Sequence, residues 1–270
     1  MVGAVEVAPL VPASITLQLR PHAPANDYLG MHLLRRSVLA LALLALCVPA
    51  SAQTADELIQ KYIAARGGAA RLAAISSLRI VRTYGTFGAN IPVTITKKRS
   101  GLYRTDQALP GRPTVARGID ASGAWESVNG KAAKRPADQE LELRELDADF
   151  DGFLVDYKAK GHAVEYVGRE KAGGIDTYKL KVTLKSGAVR HVYLDAGTFL
   201  ERKQEGTMTL PDGKVPVIIT FGDWREVDGV KFPFAIDEER VSFPPQTFAI
   251  YTERVELNPV VDEAMFRMPK

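Results

Sequence analysis

Three acidic residues at alternate positions, followed by a glycine, form the pattern in this chain that comes nearest to a metal site. Asp147, Asp149, Asp151 and Gly152 match the first, third, fifth and sixth positions of a calcium-binding loop. The twelfth position of such a loop requires a glutamate that binds the ion with both oxygens, and here it is Lys158. The pattern therefore predicts an acidic helix end followed by a turn, and no metal site.

The histidines are the second set of residues that could bind a metal or act as an acid or base. After residue 52 the sequence contains only His162 and His191, about thirty positions apart and without a cysteine, whereas a zinc site uses three or four nitrogen, sulfur or oxygen ligands. His162 with Asp156 or Glu165 could form an acid/base pair, but no serine stands in a G-x-S-x-G turn. We predict no catalytic residue, metal or cofactor. A hydrolase that uses acids of residues 147–162 remains an alternative hypothesis.

The N-terminal region has the layout of a secretory signal peptide over residues 31–52. Arg35 and Arg36 precede an apolar run from Val38 to Val48, and the small residues Ala50-Ser51-Ala52 fit a cleavage site. The apolar run is shorter than the roughly 20 residues that span a bilayer. The pattern predicts export to the periplasm.

Residues 1–30 are apolar and contain proline, with no helix or strand pattern. We expect translation to begin at Met31, which leaves 1–30 as an upstream extension that is not translated or is disordered. Cys47, the one cysteine, follows Leu46, where a lipidation site would have a small residue. Residues 53–270 are predicted to form a single domain without disulfides, and they are numerous enough to bury a core.

Overall charge excludes one class of partner. The chain has 35 basic and 32 acidic residues, for a formal net charge of +3. Nucleic-acid binding needs a clustered basic surface, and no long basic run is present. Nucleic acid is therefore not the predicted partner.

The exported part opens with a helix. Thr54 can cap the free amides of the first turn, and Leu58, Ile59, Tyr62 and Ile63 recur at helical spacing. Gly67 and Gly68 end this helix, and a second short helix covers residues 69–75.

From Leu78 to Leu257 the apolar period is two, with one interruption. Tyr178, Leu180 and Val182, for example, alternate with polar residues, and turn signals such as Asp228-Gly229 separate the runs. About eleven strands follow one another with no helical crossover, which predicts an antiparallel meander. The fold class is mainly β with helices (α+β), with a curled sheet or barrel.

The interruption is an insert from Ala137 to His162, which we interpret as a helical lid across the sheet. Its apolar residues need an apolar surface to cover: Leu141, Leu143, Leu146, Phe150, Phe153 and Leu154. A pocket uses the same residue types as a packed core, so the sequence leaves open whether the insert covers a cavity or completes a core.

Five blocks of the chain, at 65–79, 149–168, 178–187, 192–203 and 257–269, resemble the outer-membrane lipoprotein-sorting proteins of the LolA/LolB-like superfamily. The resemblance covers essentially all of 53–270. It implies an unclosed half-barrel with a helical lid over an apolar cavity for acyl chains. In that superfamily a periplasmic carrier takes a lipoprotein's acyl chains from an inner-membrane transporter to an outer-membrane receptor.

The chain departs from the superfamily in two ways. It lacks the receptor's lipidated cysteine, and the carrier's functional arginine is not assigned among Arg79, Arg82, Arg99 and Arg104. The superfamily's barrel also serves regulators, so a periplasmic sensor or interaction domain is a further alternative.

The sequence thus predicts a monomeric, non-enzymatic periplasmic protein that holds lipid or lipoprotein acyl chains for transfer towards the outer membrane, with membrane-associated transfer partners. The predicted ligand-binding residues are apolar and come from the strand faces and the lid: Val93, Ile95, Leu146, Phe150, Phe153, Leu180, Val182, Val192, Leu194, Val217, Ile219 and Phe221.

Overall fold

The computed structural model describes residues 54–86, 88–108, 111–210, 213–242 and 244–270. The predicted extension at 1–30 and the predicted signal peptide at 31–52 lie outside these residues. No helix in the described ranges is both long and apolar enough to cross a membrane.

The first helix, α1, spans Ala55–Arg66 and begins at the predicted cap. Thr54 Oγ1 accepts from the Glu57 amide at 3.2 Å, and the Glu57 carboxylate accepts from the Thr54 amide at 3.2 Å. The helix ends at Gly67, whose φ of 127° favours glycine, and an added Cβ there would lie 2.2 Å from the Gly229 carbonyl oxygen. The short helix α2, Ala69–Ala73, leads into the sheet.

A single sheet of thirteen antiparallel strands makes up most of the remaining structure. Its strands, in chain order, are β1 Ser77–Thr86, β2 Ala89–Lys98, β3 Leu102–Gln107, β4 Val115–Asp120, β5 Gly123–Val128, β6 Lys131–Lys134, β7 Ala163–Ala172, β8 Ile175–Thr183, β9 Val189–Asp195, β10 Glu201–Leu210, β11 Gly213–Val227, β12 Val230–Arg240 and β13 Gln246–Leu257.

The expected count of about eleven strands is wrong. Strand β6 has the sequence Lys-Ala-Ala-Lys. Four small and charged residues show no apolar alternation, so only the pairing with β5 identifies them as a strand.

The strand order explains why the sheet is unclosed. Its order is β6-β5-β4-β3-β2-β1-β13-β12-β11-β10-β9-β8-β7, so the first and last strands of the chain pair in the middle. The two free edges are β6 and β7, which flank the insert. The insert therefore connects one edge of the sheet to the other.

Contacts of the insert helix α3, Ala137–Glu145, show that the sheet curls. The Glu140 carboxylate accepts from the Ala124 amide of β5 at 3.1 Å, and the Glu142 carboxylate accepts from the Thr209 amide of β10 at 3.0 Å. In the sheet β5 and β10 are eight strand positions apart, which in a flat sheet would be roughly 38 Å. A nine-residue helix is about 13 Å long, so both strands can reach it only if the sheet forms a half-barrel.

Only the first part of the insert is helical. Residues 146–162, here called the insert loop, form turns in which Gly152, Asp156 and Gly161 have positive φ angles of 85°, 52° and 80°. The expectation of a helical lid over the whole range was therefore too broad, because three positions with left-handed backbone end regular helix.

The insert loop enters the core. Phe153, Leu154 and Val155 are buried among the apolar residues of α1 and the sheet. Leu141 of α3, which we expected to face the sheet, is instead 43% exposed. The insert loop therefore completes the core, while α3 lies nearer to solvent.

The convex face of the sheet has its own small core. A 3₁₀ helix at Glu263–Phe266 packs on this face, and the buried Trp125 indole donates to the Phe266 carbonyl oxygen at 2.9 Å. The 3₁₀ helix thus covers part of the convex face, and the concave face is considered below as the location of a binding site.

Candidate functional site

The curled sheet has two different ends. At one, here called the α1 end, the helix closes the interior: Arg66 Nε donates to the Lys231 carbonyl oxygen at 2.9 Å, and Lys61 Nζ lies 5.0 Å from the centre of the Phe199 ring. The opposite end, here called the distal end, carries the connections β1–β2, β3–β4, β8–β9, β10–β11 and β12–β13.

Inner-face side chains are packed differently at the two ends. Leu78, Leu180 and Leu194 expose no more than 4% of their surface. Cross-strand partners share a face, so the register also assigns a set of distal residues to the inner side. Several apolar members of that set are only half-buried: Tyr84, Ile91, Val115, Met208, Ile219 and Phe248. The distal half of the inner face therefore carries apolar side chains that remain partly exposed, and this half of the interior is called here the recess.

The predicted ligand-binding residues divide between core and recess. Seven belong to the buried core cluster: Val93, Ile95, Phe153, Leu180, Val182, Val192 and Leu194. Leu146 and Phe150 are partly buried against that cluster. The last three, Val217, Ile219 and Phe221, face the inner side of β11. Val217 is buried, and the other two are half-buried.

Three cations also lie on the inner face. Arg82 Nε donates to Thr252 Oγ1 at 3.2 Å. Lys97 Nζ donates to the Asp149 carbonyl oxygen at 3.0 Å. Arg190, which is 3% exposed, donates to the Thr207 carbonyl oxygen at 2.8 Å. Each bond goes to a neutral oxygen, so these bonds leave the positive charges uncompensated.

Burial shifts the pKa of one of these cations, Lys97, and of a nearby acid, Asp147. Burial lowers the pKa of Lys97 to about 8, although Asp147 and Asp149 oppose the shift. Burial also raises the pKa of the Asp147 carboxyl, against the attraction of Lys97 and Arg190. Asp147 is nevertheless exposed to solvent. Asp147 is therefore both close enough to Lys97 and Arg190 to feel their charges and accessible to solvent.

Two glutamates hold α3 against the distal end of the sheet. The Glu142 carboxylate accepts from the Thr209 amide at 3.0 and 3.1 Å. The Glu145 carboxylate, which is buried, accepts from the amide and the hydroxyl of Ser186 at 2.9 and 2.5 Å. These side-chain bonds to backbone amides, together with the buried Leu143 side chain, dock α3 on the sheet.

Two of the three acids that resemble a calcium loop, Asp149 and Asp151, are paired with cations. Lys160 Nζ lies 2.7 Å from Asp149, and Arg99 binds both oxygens of Asp151 at 2.5 and 3.0 Å. These pairs line a cleft of about 330 Å³ together with Phe150. Within the described residues, no three His, Cys, Asp or Glu side chains are grouped closely enough to hold a metal ion.

The histidine considered for acid/base chemistry has a structural contact. His162 is buried, its Nδ1 accepts from the Lys185 amide at 3.0 Å, and burial lowers its pKa. Its suggested partners are elsewhere: Glu165 pairs with Lys181 at 3.0 Å, and Asp156 lines the cleft. His191 is half-buried on β9.

The cations of the inner face were not predicted from the sequence, although a signal was present. Lys97 continues the phase of Val93 and Ile95, and Arg190 precedes Val192 in the same phase. A charged residue in the apolar phase of a strand indicates an inward-facing charge, because alternate residues face the same side.

Comparisons with known proteins identify the fold alone. No protein-family model matches the sequence, and no curated protein is similar to it. Solved structures do match at low identity. A DUF1329 family protein from Desulfovibrio piger has a TM-score of 0.55 at 12% identity, over 78% of this chain and 96% of that chain.

Two further structures have the same fold. A LolA superfamily protein from Nitrosomonas europaea has a TM-score of 0.51 at 12% identity, over 79% of this chain and 97% of that one. An outer membrane lipoprotein-sorting protein domain from Vibrio parahaemolyticus has a TM-score of 0.53 at 15% identity, over 78% and 94% of the two chains. The unclosed, mainly β half-barrel implied by the sequence resemblance is thereby confirmed.

Proposed function

We propose that this chain, which has the fold of the LolA superfamily proteins, is a periplasmic carrier that holds the acyl part of a lipid or lipoprotein in the recess, without covalent chemistry. The observation that carries the proposal is the row of half-buried apolar side chains on the inner face at the distal end. Apolar side chains that face inward and remain partly wet lose water when an apolar ligand covers them.

Burial of the ligand supplies the driving force. Each methylene removed from water contributes about 0.8 kcal/mol. Five covered methylenes would contribute roughly 4 kcal/mol, before the entropy lost on association. Such a ligand binds reversibly, as a carrier requires.

Fold neighbours and the predicted signal peptide support a role in the envelope. One neighbour is a LolA superfamily protein and another an outer membrane lipoprotein-sorting protein domain. We propose that Ile219, Phe221, Val217 and Val93 contact the acyl chain. In this proposal the remaining predicted residues, which are in the core cluster or packed against it, support the inner face.

Native mass spectrometry of protein purified without detergent tests the proposal directly. We expect a co-purifying acyl lipid, or binding of a fluorescent fatty-acid probe to the empty protein. Protein that is empty and also fails to bind the probe would contradict the proposed function.

Adjacent residues of β11 provide a matched pair of variants. Ile219 and Ile218 are both half-buried, but their neighbouring positions place them on opposite faces of the sheet. Ile219→Glu should weaken probe binding by at least about tenfold, since it places a charge among the acyl contacts. Ile218→Glu should leave binding unchanged. Equal losses in both variants would mean that the probe does not bind the inner face.

A further inference from the structure

Some cations on the inner face have carboxylate partners and others do not. Arg117 pairs with Glu126, and Arg240 pairs with Glu238 at 2.6 Å. Within the part of the chain that the structure describes, Lys97 and Arg190 have no carboxylate oxygen within 4.0 Å. Positive charges in a partly dry interior are costly unless an anion compensates them.

The insert supplies the nearest negative charge. Glu142 binds the Thr209 amide, two residues along β10 from the carbonyl that Arg190 binds, and the Asp149 carbonyl oxygen binds Lys97. The insert thus crosses the inner face from Arg190 at the edge of the recess to Lys97, and Asp147 lies between these two contacts in the chain. In the described ranges the Asp147 carboxylate makes no hydrogen bond or close ion pair, although its charge acts on both cations.

The position of Arg190 depends on the lack of a side chain at Gly206 of β10. A Cβ added to Gly206 of β10 would lie 2.4 Å from Arg190 Cδ and 2.8 Å from Arg190 Nε. Gly206 has ordinary strand backbone, so the turn chemistry of glycine does not explain it. Glycine at this position provides the space in which the arginine lies on the inner face.

We propose that Lys97 and Arg190 bind the anionic head group of an amphiphile, and that Asp147 occupies this place between them when no ligand is bound. The inference rests on the proposed function, because the recess is taken to hold the acyl chain. It adds the chemical class of the ligand: a carboxylate or phosphate joined to an apolar tail. The ligand must displace the insert to reach Arg190, since that side chain is buried.

Matched ligands separate the head group from the tail. Decanoate and decyl phosphate carry an anion, decanol has the same tail without charge, and inorganic phosphate is a head group alone. By calorimetry we expect both anionic amphiphiles to bind at least about tenfold more tightly than decanol, and inorganic phosphate to bind far more weakly. Equal binding of decanoate and decanol would overturn the inference and leave the acyl site standing. Binding of inorganic phosphate as tight as that of decyl phosphate would identify a free-anion site.

Variants test the two sides of the contact. Asp147→Asn should strengthen decanoate binding by about tenfold, because it removes the competing carboxylate, and should leave decanol binding unchanged. Lys97→Met should weaken decanoate binding by about tenfold and leave decanol within twofold. Asp138→Asn is the control, since Asp138 is exposed in the first turn of α3. An unchanged or weaker affinity in Asp147→Asn would contradict the displacement.

Amide exchange reports whether the insert moves. The Thr209 and Ser186 amides are held by Glu142 and Glu145, so displacement of α3 should speed their hydrogen exchange when decanoate is bound. Exchange that slows at both amides would show that the ligand leaves α3 docked. If none of the amphiphiles binds, the proposed function itself fails.

Discussion

Replacing Arg99 with methionine should loosen the insert loop, because this one guanidinium joins three parts of the chain. It donates to the Ile75 carbonyl oxygen at 2.7 Å and to the Leu72 carbonyl oxygen at 2.6 Å, which fixes the entry to β1. It also binds both oxygens of Asp151 and lies 4.5 Å from the centre of the Phe150 ring. A methionine keeps much of the apolar stem and loses every one of these donors.

The magnitude follows from the exposure of the pair. The Arg99 side chain is 35% exposed and that of Asp151 is 11% exposed. Surface pairs contribute about 0 to 1 kcal/mol, and breaking a buried pair costs about 3 to 5 kcal/mol. We therefore expect Arg99→Met to lower the free energy of unfolding by about 2 kcal/mol, with about 1 kcal/mol of that loss coupled to Asp151.

A double-mutant cycle with Arg99→Met and Asp151→Asn measures the coupling by urea denaturation. In hydrogen exchange, amides of residues 149–157 should lose protection in Arg99→Met, while those of β8 and β9 should not. Millimolar calcium should leave the melting temperature of the wild-type protein unchanged, since Arg99 and Lys160 occupy the acids.

Two results would refute this reasoning. A coupling energy below about 0.3 kcal/mol would mean that the ion pair does not hold the insert loop. Stabilisation by calcium would mean that the aspartates prefer the metal to their cations, and the calcium-loop pattern would then have functional meaning.

Three further predictions concern pH and packing. Decanoate affinity should fall as the pH rises through about 8, since burial lowers the pKa of Lys97 to about 8 and the neutral amine no longer attracts the carboxylate. Calorimetry on Lys97→Met should show a decanoate affinity that does not change with pH in this range. A wild-type affinity that does not fall would contradict the assignment of Lys97 to the head group. Burial lowers the pKa of His162, so its contribution to stability is present above the ordinary pKa of 6.5 and is lost as the pH falls below it. His162→Asn keeps an acceptor for the Lys185 amide and should reduce the loss of unfolding free energy between about pH 7 and pH 5, whereas an unaltered pH dependence would exclude this histidine as the cause. Gly118→Ala should lower the free energy of unfolding by about 2 to 4 kcal/mol, because the added Cβ would lie 2.4 Å from a buried tryptophan ring. Gly222→Ala is the control: no atom lies nearer than 4.0 Å to its Cβ, and the change should be less than about 0.5 kcal/mol. Similar melting temperatures for the two variants would show that the tryptophan ring moves to make room.

Local patterns were sufficient for much of the fold. The Thr54 cap, the buried face of α1 and the glycine that ends it all depend on residues within one or two helical turns. The alternation in β8 and the Asp228-Gly229 turn likewise depend on neighbours in sequence. The sequence therefore predicted an antiparallel, curled sheet preceded by a helix.

The candidate site was predicted only in part. The alternation assigned apolar residues such as Val93 and Ile219 to the inner face of the sheet, but it could not distinguish the packed half from the recess. That difference depends on α1 and the insert loop, which fill one half of the interior. Arg190 and Lys97 were overlooked because the search for the site followed apolar residues alone.

The amino-acid sequence by itself determined whether most segments are helix or strand, where the turns lie and where the helices end, because these follow from the apolar spacing and conformational preferences of neighbouring residues. Tertiary structure decided that β1 pairs with β13, that β6 and β7 are free edges, and that Asp151 pairs with Arg99. These contacts join residues up to about 180 positions apart, as between Ser77 and Pro259. No local preference specifies such pairs, since every strand of the meander offers the same backbone donors and acceptors, and only the curling of the whole sheet around α1 and the insert selects among them.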